Sequence, residues 1–129
     1  MDIERRLKIY FDGGCRPNPG QMETAVVARG ITYYQPNCGQ GTNNDAEWLA
    51  LIHALEVAST IGAFDIVLLS DSAVIVGQAS GEAKCRSPEL RAHLAKFQTL
   101  ADSFERIRLR RISRHQNLAG IALKNARWP

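Results

Sequence analysis

A mixed α/β (α+β) sheet with helices on both faces is the fold predicted by three features of the sequence. Strand-like segments crowd the first third of the chain, apolar helical periodicity begins near Asn44, and a continuous apolar run, "DIVLLS", follows it. A meander, then helix, strand, two helices, strand and helix, gives the order βββαβααβα. Such an order makes a five-stranded mixed sheet. The 129 residues suffice for one domain, spanning 1–129.

The elements follow in order. "LKIYFD" alternates, with Leu7, Ile9 and Phe11 on one face and Lys8, Tyr10 and Asp12 on the other. "GGCRPNPG" then reads as a glycine-proline turn. "TAVVARG" and "ITYYQP" are two further strands around Gly30. A helix is expected from about Asn44 to Ile61, with Trp48, Leu51, Ile52, Leu55 and Ala58 at helical spacing and Gly62 as its stop. "DIVLLS" suits a parallel strand buried on both faces. "SAVIVGQASG" is a short helix ended by glycine. The next helix opens with Ser87 as cap and Pro88 at its first position. "RIRLRRI" is the last strand and "NLAGIALKNA" the last helix.

Composition narrows the classes. Hydrophobic residues make up 45% of the chain, which excludes a disordered tail. No apolar run approaches the roughly 20 residues of a membrane helix. "MDIERRLK" is charged and has no apolar signal core, so a cytoplasmic location and no membrane association are expected. Three scattered cysteines (Cys15, Cys38, Cys85) fit reduced thiols. The net charge of +3 permits a polyanionic partner without demanding one. Basic residues gather at Arg106, Arg108, Arg110, Arg111 and Arg114. They read as charge protecting an edge strand, with a phosphate-facing stripe as the alternative. Trp128 is expected to be exposed.

The glycine-proline turn fails as a P-loop, because Gly20 is followed by Gln21 and Met22 rather than by lysine and a hydroxyl residue. The acid at its base, Asp12, is by itself an ordinary turn residue. Asp71 follows an apolar strand and could cap the next helix. Glu47 lies three residues after Asn44, the spacing of a capping box. If the strands bearing Asp12 and Asp71 pair in parallel, however, the three acids converge at one end of the sheet. Crowded carboxylates repel unless protonated or bridged by cations. Oxygen-only ligation favours Mg²⁺ or Mn²⁺, and two such ions about 4 Å apart can clamp an in-line phosphoryl displacement.

"YFDGGCRPNPG", "GTNNDAEWLALIHALEVA" and "LLSDSAVIVGQASG", in this order, resemble type 1 ribonuclease H. The closing "ISRHQNLAGIALKNA" is most similar to the compact archaeal and bacterial forms. The resemblance covers about residues 7–126 and implies the ribonuclease H-like fold. It implies endonucleolytic hydrolysis of the RNA strand of an RNA–DNA hybrid, leaving 5′-phosphate and 3′-hydroxyl ends. Catalytic and metal-holding acids would be Asp12, bridging two Mg²⁺ or Mn²⁺ ions, with Glu47 and Asp71 on the second. Substrate contacts would come from Gly13, Gly14, Cys15, Asn18, Thr42, Asn43, Asn44 and Ser72. The hybrid is the expected partner, with no obligate protein partner, and a monomer is expected.

One family feature is missing. The pattern Asn, three residues, Asp, one residue, Leu is matched by Asn117 and Leu123, but the acid position is Ile121. As a residue of an amphipathic helix, Ile121 would share a core face with Leu118 and Ala122. It supplies no ligand atom, so the first ion should bind weakly and activity should fall. A catalytically inactive hybrid-binding domain on the same fold is the alternative. His115, two residues before Asn117, is either a solvated loop histidine or a proton shuttle at the site.

Overall fold

A computed structural model describes residues 6–127; the charged first residues and Trp128 lie outside the described residues. The elements are β1 (Arg6–Cys15), β2 (Gly20–Ala28), β3 (Ile31–Gln35), β4 (Gln40–Gly41), α1 (Asn43–Thr60), β5 (Asp65–Ser70), α2 (Ala73–Ser80), α3 (Pro88–Ala101), β6 (Arg106–Arg111) and α4 (Leu118–Arg127). A single 3₁₀ turn, Arg114–Gln116, precedes α4. The strand order is β3-β2-β1-β5-β6, with β4 paired to β2. The expected five strands are therefore joined by a sixth. It has only two residues, too few for an alternating pattern to register in the sequence.

Strands β1, β2 and β3 form the antiparallel meander, turned at Arg29 and Gly30, both with positive φ. β1 pairs with β5 in parallel, and β5 with β6 in parallel. β6 is the edge strand, as its run of arginines anticipated. Among the described residues, no helix is long and apolar enough to cross a membrane.

Alternation along β1 divides the molecule into two cores. Ile9 and Phe11, fully buried, pack with Trp48, Leu51, Leu55, Ile66, Leu68 and Ile75 under α1 and α2. The opposite face carries Tyr10, Ala25 and Val27 against Ala119, Ala122 and Leu123 of α4. Helix α1 is buried nearly all round: Ala50, His53, Ala54 and Val57 are sealed in addition to the five residues of the predicted stripe. It lies between the sheet and α3, the environment in which a helix becomes apolar on every side.

The ends of the helices follow the expected chemistry, with two shifts. Ser87 caps α3 through the amide of Leu90, with Pro88 in the first turn. Gly62 and Gly81 adopt positive φ after α1 and α2. α1, however, begins at Asn43, capped by Thr42. The Thr42 hydroxyl accepts from the Asp45 amide, and the Asp45 carboxylate accepts from the Thr42 amide. This reciprocal box replaces the one expected between Asn44 and Glu47, so Glu47 has no capping task. Likewise Ser72, rather than Asp71, caps α2 through the Ile75 amide.

Candidate active site

The parallel register places Tyr10 beside Leu69, so Asp12 and Asp71 both emerge at the carboxyl ends of neighbouring strands. Sites in open α/β sheets form at this end. Glu47 reaches the same point from the first turns of α1, and its Oε1 accepts from the Gly13 amide at 3.1 Å. Together these acids line a cleft of about 750 Å³ with Gly13, Asn43, His115 and Ile121.

Gly13 explains why α1 can come so close. A Cβ at this position would stand 2.1 Å from the Ala46 carbonyl oxygen and 2.5 Å from its carbon. Both are backbone atoms of α1 and have no rotamer to escape into. Gly13→Ala should therefore destabilise the fold by about 3 kcal/mol or more, because either the helix or the strand must shift. Thermal unfolding checks this; a melting temperature unchanged from the parent would show that the contact is loose.

Burial, first, and the neighbouring charges of Asp12 and Asp71 push the Glu47 carboxyl up to about 9. Glu47 also hydrogen-bonds Asp12. The pair thus holds a proton at neutral pH, the expected response of crowded carboxylates with no cation between them. Asp71 is held differently. Its Oδ1 accepts from Asn117 Nδ2 at 2.6 Å, and its Oδ2 lies 3.7 Å from Arg114 Nε. Asn117 is fully buried. Its Nδ2 also donates to the Phe11 carbonyl, and its Oδ1 accepts from the Ala119 amide at the start of α4. One side chain therefore ties β1, Asp71 and α4 together. Among the described residues, no three His, Cys, Asp or Glu side chains are drawn into a ready-made metal cage.

The predicted contact residues separate into two groups. Gly13, Gly14, Cys15 and Asn43 line the cleft, as does His115, which is exposed. Asn18, Thr42, Asn44 and Ser72 do not line it. Asn18 instead accepts from the Asn43 amide and latches the proline turn to α1. Residues 13–15 are not part of the turn, as expected from their glycines, but continue β1, pairing with Thr24, Glu23 and Met22 of β2. Cys15 is buried, with its thiol directed at Asn43 Oδ1 and the Gly41 carbonyl.

Ile121 is placed otherwise than its helical pattern suggested. It is 44% exposed at the mouth of the cleft, and Leu118 is 45% exposed, while Ala119 and Leu123 fill the core beneath. The reason is the close approach of α4 to the strands. Gly120 lies against Asp12, where an added Cβ would stand 3.4 Å from Asp12 Oδ2. Small residues occupy the near side of the helix, and the larger Leu118 and Ile121 turn outward. Asn117, Arg114 and Gly120 are the site residues that sequence reasoning missed. The signals for them were the family pattern that Asn117 matches and the basic cluster that holds Arg114, and neither gave its residue a task at the site.

An open cleft holding three acids where parallel strands β1 and β5 stop pairing, flanked by helices on both faces, is the arrangement that the resemblance to type 1 ribonuclease H implied. Residues 11–126 match the reverse transcriptase-like family, and the chain belongs to it, within the type 1 ribonuclease H-like superfamily. The chain is 33% identical over 129 residues to Ribonuclease HI of Halobacterium salinarum, covering 93% of this chain and 63% of that protein. It is also 33% identical over 126 residues to the bifunctional protein Rv2228c of Mycobacterium tuberculosis, covering 93% of this chain. It spans 35% of the mycobacterial protein's length. The crystal structure of RNase H1 from Halobacterium salinarum superposes with a TM-score of 0.86 at 32% identity, covering 92% of this chain and 93% of that one. LC11-RNase H1, solved in complex with an RNA/DNA hybrid, superposes at 0.80 with 31% identity, covering 91% and 92%.

Proposed function

We propose that the chain, acting as one domain from β1 to α4, is a metal-dependent endonuclease that hydrolyses the RNA strand of RNA–DNA hybrids. The observation that carries this is the meeting of Asp12, Glu47 and Asp71 in one open cleft. Likeness to an RNase H1 that binds a hybrid supports the substrate class. Three free cysteines among the described residues support a reducing, cytoplasmic setting.

The donor set fits a hard divalent cation. It is all oxygen; among the described residues a proton stays on Glu47, and Asn117 and Arg114 meet the Asp71 carboxylate. Asp12, Glu47 and Asp71 would hold Mg²⁺ or Mn²⁺. Such ions supply charge neutralisation at the scissile phosphate and lower the pKa of bound water. The chain does the positioning. The Gly13 amide orients Glu47, and Asn117 fixes the Asp71 carboxylate against β1 through the Phe11 carbonyl. The backbone of Gly13 and Gly14 lines the cleft, where the sugar edge of a hybrid, with the 2′-hydroxyls that distinguish RNA, would pass. His115 stands on the cleft wall, where an imidazole could pass a proton to or from the site.

The exposed Ile121 favours a second reading, a hybrid-binding domain that no longer cuts. End-labelled duplexes of identical sequence decide between them. The expected result is cutting of the RNA strand of the hybrid, with 5′-phosphate and 3′-hydroxyl products, and no cutting of duplex DNA. Salt-sensitive hybrid binding without any product supports the second reading.

A further inference from the structure

The two faces of the sheet are covered unequally. On the face that holds Tyr10, α4 packs over β1 and β2 and reaches β3. Beside it, over β1, β5 and β6, a groove of about 460 Å³ lies open, lined by Lys8, Tyr10, Val67, Leu69 and Arg110 among others.

Cross-strand register orders this groove in rows, because paired residues on neighbouring strands point to the same face. Arg6, Asp65 and Arg106 make one row, Lys8, Val67 and Arg108 the next, and Tyr10, Leu69 and Arg110 the third. Five cations thus stand in two rails, with one carboxylate between them. The rails are about 10 Å apart, two strand spacings. Val67 and Leu69 form an apolar floor between them and are nearly sealed, although long basic stems are the side chains that flank them. Tyr10 supplies an aromatic ring at the end nearest the acids.

Among the described residues, the one carboxylate in these rows is Asp65. Arg108 Nη1 and Asp65 Oδ1 are buried and have no hydrogen-bond partner among the described residues. Burial, and then the charges of Arg6 and Arg106, hold the Arg108 guanidinium below its usual value. Protection of an edge needs charge along the strand, not two facing rails across three strands. The groove also adjoins the candidate active site. The 3₁₀ turn is their common wall, with Arg114 and His115 lining the acidic cleft and Gln116 the groove. Arg111, at the end of the groove, donates to the Asp71 carbonyl at 3.5 Å.

We infer that the open face of β1, β5 and β6 binds single-stranded nucleic acid, receiving the unpaired extension of a duplex held at the acids. Basic rails for phosphates, with an aromatic ring beside them on which a base can stack, are the combination by which proteins hold single strands without sequence preference. That the strand continues from a hybrid rests on the proposed function; that the groove takes a single strand does not.

The test uses a fluorescent 15-nucleotide oligouridylate and the whole chain, without divalent metal, at low salt. Lys8→Glu/Arg110→Glu should weaken binding by about 10-fold or more, and each phosphate no longer neutralised should lower the salt slope by about 0.7. Lys8→Gln/Arg110→Gln, with an unchanged melting temperature, should weaken binding less, in the same direction. A hybrid with a single-stranded tail should bind more tightly than its blunt counterpart, and the charge-reversed variant should lose that advantage while still cutting the blunt hybrid. No binding of the oligonucleotide by the parent protein, equal binding by parent and variants, or equal displacement by polyglutamate would overturn the groove. If the parent never cuts the blunt hybrid, the proposed function fails, and the oligonucleotide titration still judges the groove.

Discussion

Glu47→Gln should leave a protein that is more stable without metal and at least about 100-fold less active with it. The substitution keeps the shape of the side chain and an oxygen that can accept from the Gly13 amide. It removes the ionisable group that burial, Asp12 and Asp71 push up to about 9. In the unfolded chain that carboxyl ionises near 4.5. The folded protein therefore binds one more proton than the unfolded chain between these values, and stability falls as pH rises through this window. Gln titrates nowhere in it. At pH 7–8 the variant's melting temperature should exceed the parent's by about 3–6 °C, with the gap closing below pH 4.5. Melting both proteins across pH, in the presence of a chelator, checks this. A variant less stable than its parent at pH 8 would show that the acids do not repel. In the parent, metal must displace the proton on the Asp12–Glu47 pair, so metal affinity should rise with pH up to about 9.

Ile121→Asp should act in the other direction. Ile121 is 44% exposed at the cleft mouth, so replacing it removes little core. A new carboxylate one residue beyond Gly120, which abuts Asp12, would add a ligand on the side of the cleft where α4 brings Asp12 no second acid. We expect metal affinity and cutting rate to rise by about 10-fold or more, the scale on which ligand-supporting groups act. Isothermal titration with Mn²⁺ and single-turnover cleavage measure the two separately. A rate and an affinity equal to the parent's would mean that position 121 does not face the metal.

These two residues also show how far the sequence could be read. The alternation of β1 and the apolar run of β5 foretold both the parallel pairing and the convergence of Asp12 with Asp71, because those patterns reflect burial directly. The capping role offered for Glu47 was a local reading of spacing. It failed because Thr42 and Asp45, two residues earlier, make the same box. Ile121 was misplaced because hydrophobicity stood in for burial. Close helix-to-sheet approach puts Ala119 and Gly120 on the near side and leaves Leu118 and Ile121 outside, while Leu123 stays buried. Asn117 was visible only as a match to the family pattern; its bond to the Phe11 carbonyl, across 106 residues of chain, lay beyond any local reading. The two rails of the open groove belong to strands nearly a hundred residues apart, and only the register sets them opposite each other.

The central claim is that Asp12, Glu47 and Asp71 suffice for metal-dependent cutting although α4 brings no fourth acid. Its most direct test is cleavage of a hybrid with labelled RNA, as Mg²⁺ or Mn²⁺ is raised, for the parent beside Asp12→Asn. The expected result is RNA-strand cutting that keeps rising into high metal concentration in the parent and is absent in Asp12→Asn. Cutting that persists in Asp12→Asn, or hybrid that stays bound and intact at every metal concentration, would contradict it.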